Sequence, residues 1–588
     1  MKKAFIAAVV GMTAAISHAE NNKEDLLQLA PVIVTTTGYT NYQVQRQERP
    51  EVYNQSAHIQ ETAPGLKSPY IGAFTGNQVA QTVDGIKFSN SLFRTGPNQY
   101  YSWIPDSFVQ QISVSDGGNI GGTINRNLGI APSHVGASYN SSLGFTETAS
   151  YKEGKFGFAL SNIDFGNVKT ADGRIPNSSY NQQAAMFQAD WSDTQKTTFM
   201  MTHSGDLNRT DKWNGGYRST GYQAPSIYTW DSQDYTLLKH EARFNNFKLA
   251  AAYQNFEEKI TDGTKPIHSN VDSYSINGEY FLKNGFSLYS TNNLEQIMYD
   301  NGVAVSSSNP IKVDKDTWGT YKQGVRWYGD VGPLDVIASV GYKEVKAGNT
   351  RFDNPEGSLI VGKNGYFASY DRSTNTPSYF SLRQSITSGR GEQLANSGLK
   401  EEYADTFRLG YKTNGLYFDV YKKHLSDAIQ TRTVSTSPYV YQPYNGGTID
   451  VYGSTFGYKN KSVMNSKWGI DTRLEYAYGE SNPPTGVTQP TNKTTPFIAY
   501  AKVNYDKAWI EYMGQTKQNR LSTDDLADVR VYGHNGGYSV FNIGYTDSYK
   551  KLDYTVTLVN AFDNGGRVLG SSVDVPARGV FLSGKYNF

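Results

Sequence analysis

The sequence predicts an all-β transmembrane barrel of about 22 antiparallel strands, with a small N-terminal α+β plug domain in its lumen. Three observations predict it: an export leader with no later apolar span, a period-two alternation that continues to the last residue, and a Gly-rich, less regular stretch ahead of that alternation. Composition sets the frame. The chain has 588 residues, 38% hydrophobic and 13% aromatic, with 44 Tyr and 27 Phe. It is too polar for a bundle of membrane helices, and too aromatic for a disordered chain, which lacks the side chains that offset ordering entropy. Lys+Arg 55 against Asp+Glu 54 gives no general electrostatic case for nucleic acid. The absence of cysteine removes disulfide frameworks, thiolate metal sites and thiol catalysis together.

Residues 1–19 read as a signal peptide. Lys2 and Lys3 precede an apolar run from Ala4 to Ala15, and Ser17-His18-Ala19 places small residues where a signal peptidase reads them. The run is shorter than a bilayer requires, and no later run reaches about 18 apolar residues. Export without a helical span leaves a secreted soluble protein or a barrel in the outer membrane of a Gram-negative cell.

Periodicity favours the barrel. Leu552, Tyr554, Val556 and Leu558 share one face against Asp553, Thr555 and Thr557. Phe407, Leu409 and Tyr411 alternate with Thr406, Arg408 and Gly410, and Leu416, Phe418 and Val420 resume the pattern after a turn. In lipid only a closed barrel satisfies every strand backbone group, so so extended a sheet must close. Tyr at strand ends suits the membrane interfaces. The last strand, Val580, Leu582, Gly584, Tyr586, Phe588, alternates to the terminus. Beyond His134 the chain accommodates roughly 22 strands at about 20 residues per strand and connection, the size at which lumens are plugged. Polar stretches Asn208–Asp234, Ala347–Ser378, Thr431–Asn460, Gly479–Pro496 and Gln515–Gly536 are expected as long extracellular loops.

The stretch from Pro31 to Leu128 is less regular, with Ala63-Pro64-Gly65, Val83-Asp84-Gly85-Ile86 and Asp116-Gly117-Gly118 punctuating short apolar segments. Its motifs, with those of the barrel, resemble a TonB-dependent outer-membrane receptor with a short plug. Pro31-Val32-Ile33-Val34-Thr35-Thr36 resembles the TonB box. Ile71-Gly72-Ala73 followed by Val83-Asp84-Gly85-Ile86 resembles the plug signature, with Gly72-Ala73 where the family usually has Arg-Gly. Ile112-Ser113-Val114 and Ile120-Gly121-Gly122-Thr123-Ile124-Asn125 resemble the last plug strands; Ser115-Asp116-Gly117-Gly118-Asn119 replaces the family's intervening segment. Asn396 to Glu402, Phe407-Arg408-Leu409-Gly410, Val559 to Asp563 and Pro576 to Gly579 resemble barrel motifs, so the likeness runs from Pro31 to Phe588.

The resemblance implies four segments: 1–19 signal peptide, 20–37 with the TonB box, 38–133 plug and 134–588 barrel. It implies a transporter, not an enzyme, and no Ser/His constellation of a hydrolase is apparent. Pro31, Val32, Ile33, Val34, Thr35 and Thr36 would pair as an added strand with TonB of the inner-membrane energy-coupling complex. Ligand would sit where plug apex and loops meet, at Asn90, Arg94, Asn98, Gln99, Tyr100, Tyr101 and Trp103 of the plug and Arg209, Asp211, Trp213 and Asn214 of a barrel loop. Arg94 suits an anionic chelate, and the Tyr and Trp rings suit a planar ligand or the packing of plug against wall. The expected partners are TonB, a small-molecule metal chelate and outer-membrane lipid. No nucleic acid or cofactor is expected, and the chain is expected to act as a monomer.

An iron-siderophore complex is the first expectation for the ligand; cobalamin or a nickel, copper or haem chelate is the alternative. A passive porin or an adhesin with a vestigial plug is the competing class. No two histidines have ligand-type spacing, so no metal site is expected; Met201 and His203 would share a strand face that Met200 does not.

Overall fold

A computed structural model describes residues 42–45, 58–93, 100–174, 178–207, 228–262, 265–300, 313–388, 391–413, 415–436, 439–460, 463, 467–484, 486–492, 494, 497–527 and 536–588. From His134–Asn140 to Gly579–Asn587, strands join in chain order into a closed antiparallel barrel of 22 strands. The last strand pairs with the first, Tyr586 opposite Val135 and Leu582 opposite Tyr139. Closure leaves no unpaired edge facing lipid.

Alternation sets the two faces. Phe407 and Leu409 are more than half exposed on the outside, while Thr406 and Arg408 between them are buried in the lumen. Val556 and Leu558 point out and Thr555 and Thr557 point in. Val580, Leu582, Tyr586 and Phe588 face outward as the alternation predicts. Outward aromatic pairs such as Trp468–Tyr505 and Tyr366–Tyr411, with ring centroids 4.8 and 4.6 Å apart, lie beside the short turns, where an aromatic girdle meets the membrane interface. At that end the strands are joined by two-residue turns such as Gly154–Lys155 and Asp506–Lys507; at the other end lie long connections such as 376–401, 427–447 and 560–578. Short turns mark the periplasmic end and long loops the extracellular one.

The loop expectation needs correction: the ends Tyr228–Asp234 and Gly479–Asn482 of two stretches belong to barrel strands, and two other stretches are strand over most of their length or a large part of it. Within Ala347–Ser378 the extracellular connections take only Gly348–Asn349 and 376–378, because Thr350–Lys363 and Tyr366–Asn375 are barrel strands. Thr448–Asn460 is likewise a strand. Pro355, Gly357 and the neighbouring Asn and Ser read as turn residues, but Pro355 sits opposite Tyr342 in register, and flanking strands impose the pleat. In the loops of this end, Ile386–Ser388 and Gly391–Gln393 join Ile429–Thr436 and Tyr439–Asn445 in a four-stranded sheet outside the barrel.

The plug fills the lumen. One sheet runs in the order Tyr42–Gln45, Val109–Ser115, Thr123–Leu128, Ala80–Val83, Ile86–Lys87, and a second holds His58–Ala63, Leu66–Ile71 and Phe74–Thr75. Among its described residues, the helical component consists of three-residue 3-10 turns, Gly76–Gln78, Tyr101–Trp103 and Asp106–Phe108. Asp84 and Gly85 both take positive φ, 47° and 76°, the backbone of a tight two-residue hairpin.

Inside the wall, the Tyr289 ring lies across Gly324 and Gly341. A Cβ on Gly324 would fall 2.4 Å from the Val340 carbonyl oxygen and 2.5 Å from the Tyr289 hydroxyl. Gly324→Ala is therefore expected to overpack this joint by about 1–3 kcal/mol and to lower the denaturation midpoint of the purified barrel.

Candidate functional site

The plug apex is aromatic. Phe88, Phe93, Tyr100 and Trp103 come from the segment after the Asp84-Gly85 turn and meet Tyr235 and Phe256 of the wall. Phe88 packs edge-on to both wall rings at 5.3 and 5.4 Å, and Trp103 lies 5.8 Å from Phe256. Phe93 and Tyr100 stack almost in parallel, 4.2 Å apart. Tyr235 directs its hydroxyl to Gln254 at 2.9 Å.

Tyr101 and Trp103 are each only 2% exposed, so in this conformation they join plug to wall. Tyr100 is half-buried and keeps part of its ring open. Asn90 is buried and holds its own turn, its side-chain oxygen accepting from the Leu92 amide at 3.0 Å. Next to it, the Ser91 amide donates to Glu295 at 2.8 Å and the Ser91 carbonyl accepts from the Tyr379 amide at 2.8 Å. Arg94, Asn98 and Gln99 lie outside the described residues, as do Arg209, Asp211, Trp213 and Asn214, and Pro31 to Thr36.

Beneath the apex, Arg126 is fully buried, its guanidinium 4.5 Å from the Tyr101 ring and 4.9 Å from the Phe88 ring. It donates to the Tyr101 carbonyl at 2.6 Å and to Gln81 at 3.4 Å. Burial lowers its pKa from the ordinary guanidinium value, against the opposing influence of Tyr101 and Asp106. A cation held between aromatic faces fixes the floor of the apex.

Charged pairs tie plug to wall, and sequence reasoning missed them. Arg408 makes a bidentate pair with Asp116 of the plug, at 2.6 and 2.9 Å, and also meets Asp419 on the adjacent strand. Lys239 reaches Asp84 at 3.5 Å, and Lys87 reaches Glu295 at 3.1 Å. Lys423 donates to the Ile120 carbonyl. Glu402, in the Asn396 to Glu402 segment, accepts from Asn375 at 2.6 Å, from the Ile429 amide at 2.8 Å and from plug Gln78 at 3.5 Å. Asp116 lies in the Ser115 to Asn119 segment where the sequence departs from the family pattern. The available signal was a charged residue on the inward face of a strand, as Arg408 is between Phe407 and Leu409. At the extracellular end, the plug hairpin of His58–Ala63 and Leu66–Ile71 is joined to loop 560–578: the Ser572 amide donates to the Glu61 carbonyl at 2.8 Å, and the Glu61 amide donates to the Ser571 hydroxyl at 2.9 Å.

Met201 and His203 face outward and Met200 inward, with His203 paired to Asp234 at 2.7 Å. Among the described residues, no group of three or more His, Cys, Asp or Glu is placed to hold a metal ion.

A plugged barrel of this size defines a class of outer-membrane receptors, and the comparisons agree. The family model described as TonB dependent receptor-like, beta-barrel matches residues 132–564. The chain belongs to the TonB-dependent receptor family, whose members are transporters rather than enzymes, and whose barrels imply the outer membrane of Gram-negative bacteria. A comparison with curated proteins finds no match. Among solved structures, the FrpB iron transporter of Neisseria meningitidis (F5-1 variant) is similar, with TM-score 0.68 and 14% identity over 94% of this chain and 100% of that one. The copper transporter OprC gives 0.69 and 13% over 91% and 94%. The siderophore receptor PirA of Acinetobacter baumannii gives 0.65 and 13% over 91% and 94%. At these identities the likeness shows the fold.

The apex geometry separates two aromatic roles. On the expectation that ligand sits at the apex, Tyr100→Ala, which removes a half-buried ring from a stack, weakens binding about ten-fold with the plug still seated. Trp103→Ala is expected to act through packing, loosening plug from wall, which hydrogen exchange over residues 100–128 would register.

Proposed function

We propose that this protein takes up a scarce metal chelate actively, driven by TonB through Pro31–Thr36, and that its first candidate cargo is an iron-siderophore complex. The observation that carries the reading is a lumen filled by a plug that charged pairs hold to the wall, Asp116–Arg408 above all. Such a plug opposes free diffusion, and moving it requires work. An outer membrane has no nucleotide or ion gradient of its own, so that work arrives through a protein contact. Val32, Ile33 and Val34 are β-branched and uncharged, suited to strand addition.

The cargo assignment is supported by the aromatic apex, where Tyr100 over Phe93 offers a ring face to the organic part of a chelate, and by the similarity to an iron transporter and a siderophore receptor. Asn90, Arg94, Asn98, Gln99, Tyr100, Tyr101 and Trp103, with Arg209, Asp211, Trp213 and Asn214, form the proposed ligand surface; Tyr101 and Trp103 reach ligand only if the plug rearranges. Copper chelates are the second reading, which the similarity to OprC favours. The test is calorimetry of the purified protein against a panel of ferric siderophores and copper chelates. Saturable heat from a ferric siderophore is the expected result, and heat from copper chelates alone overturns the iron assignment.

A further inference from the structure

We propose that solute passage through this barrel follows one wall sector, beside strands Lys265–Phe281, Phe286–Asp300 and Val313–Val331, with the plug turn Val83–Ile86 as its constriction. The proposal rests on the transport reading and adds a route to it. Two cavities flank the turn. The one toward the periplasmic turns has a volume of about 750 Å³ and is bordered by Gly154, Thr194, Glu241, Arg243, Lys248 and Arg326. The other, of about 190 Å³, lies between plug and wall among Gln81, Lys87, Ser89, Asn119, Lys322 and Thr376. Gly85, Asn277 and Thr291 line both. The two spaces therefore form one path, pinched where the turn meets the wall.

Four side-chain ties hold the pinch, one of them the Lys239–Asp84 pair at 3.5 Å. The Asn277 side chain donates to the Gly85 carbonyl at 3.3 Å, Gln254 donates to the Lys87 carbonyl at 2.8 Å, and Lys87 pairs with Glu295 at 3.1 Å. Ile86–Lys87 is the edge of the plug sheet and pairs with Thr82–Val83 through two residue pairs. Val83 and Ile86 are buried in the apolar cluster with wall Tyr235 and Phe256, and the other side of the plug is fixed by a second cluster in which Ile59, Phe74 and Val79 meet Ala404, Leu425 and Val451, and by Asp116–Arg408. At about 30 Å³ per water, the smaller cavity holds only a few solvent molecules. At rest the path therefore suits hydrated ions, and a hydrophilic chelate passes once the turn is displaced.

The test is potassium chloride conductance of the full chain in planar bilayers, with folding of each variant checked by its electrophoretic shift on heating. Asn277→Ala combined with Lys87→Ala removes two ties and is expected to raise conductance several-fold over the parent. Asn277→Ala alone carries the same prediction at smaller size should the double variant fail to fold. Tyr421→Ala, opposite Gly72 on the far side of the plug from the turn, is expected to leave conductance at the parent level. Adding Thr291→Cys to the opened variant supplies the sole thiol of a chain with no cysteine. A cationic methanethiosulfonate should then reduce the current. Parent-level conductance in the opened variants, equal conductance in Tyr421→Ala, or a current indifferent to the thiol reagent overturns the route. The measurement needs neither TonB nor cargo, so its failure leaves the uptake reading intact and separable.

Discussion

Deleting Pro31–Thr36 is expected to reduce ligand accumulation to the level of cells lacking the protein, while binding at the cell surface stays within error of the parent. On the proposed reading this segment, upstream of the first described plug strand, Tyr42–Gln45, is the grip by which the plug is pulled. An added strand gains its hold from main-chain hydrogen bonds, and shortening by six residues leaves nothing to pair. Binding titrations and uptake measured on the same cells separate the two effects. Retained uptake would assign energy coupling elsewhere, and lost binding would mean that the deletion had disturbed the plug.

Arg408→Ala carries the second large effect. In the parent, one guanidinium neutralises Asp116 from the plug and Asp419 from the wall, all three side chains being buried or nearly so. Truncation leaves two carboxylates in the lumen without that partner, a loss of about 3–5 kcal/mol for a broken buried pair. The expected readout is faster hydrogen exchange across Val109–Leu128 and a plug more readily cut by protease, in a barrel that still shows its electrophoretic shift. Arg408→Lys is expected to recover only part of the difference, because an ammonium cannot form the bidentate contact. Exchange rates equal to the parent in Arg408→Ala would remove this pair from the account of plug retention.

The barrel was legible in the sequence because lipid on one side and plug or water on the other impose a period of two. Phe407, Leu409, Phe418 and Val420 turn outward as their alternation requires, and the strand ending in Phe588 closes on His134–Asn140. Legibility failed where turn residues occur inside strands. Asn354, Pro355 and Gly357 read as loop, yet the preceding strand pairs with all three, and Gly357 is paired with the following strand as well, supplying what local propensity does not. The contacts that hold the plug were not legible for another reason. Asp116 and Arg408 lie 292 positions apart, and no spacing rule links them. Alternation placed Arg408 on the inward face but could not name its partner. At the apex, the aromatic side chains were visible as Tyr100, Tyr101 and Trp103, whereas the burial of two of them depends on wall residues remote in sequence, Tyr235 and Phe256 against Trp103 and the cluster with Ala404 and Leu425 around Tyr101.

The central claim, that cargo crosses this barrel only when the plug is driven, is tested most directly by uptake of a radiolabelled ferric siderophore in cells before and after an uncoupler collapses the inner-membrane proton gradient. The account predicts accumulation in energised cells that stops on uncoupling while surface binding persists. Accumulation that continues at the same rate after uncoupling would contradict it and make the protein a passive pore.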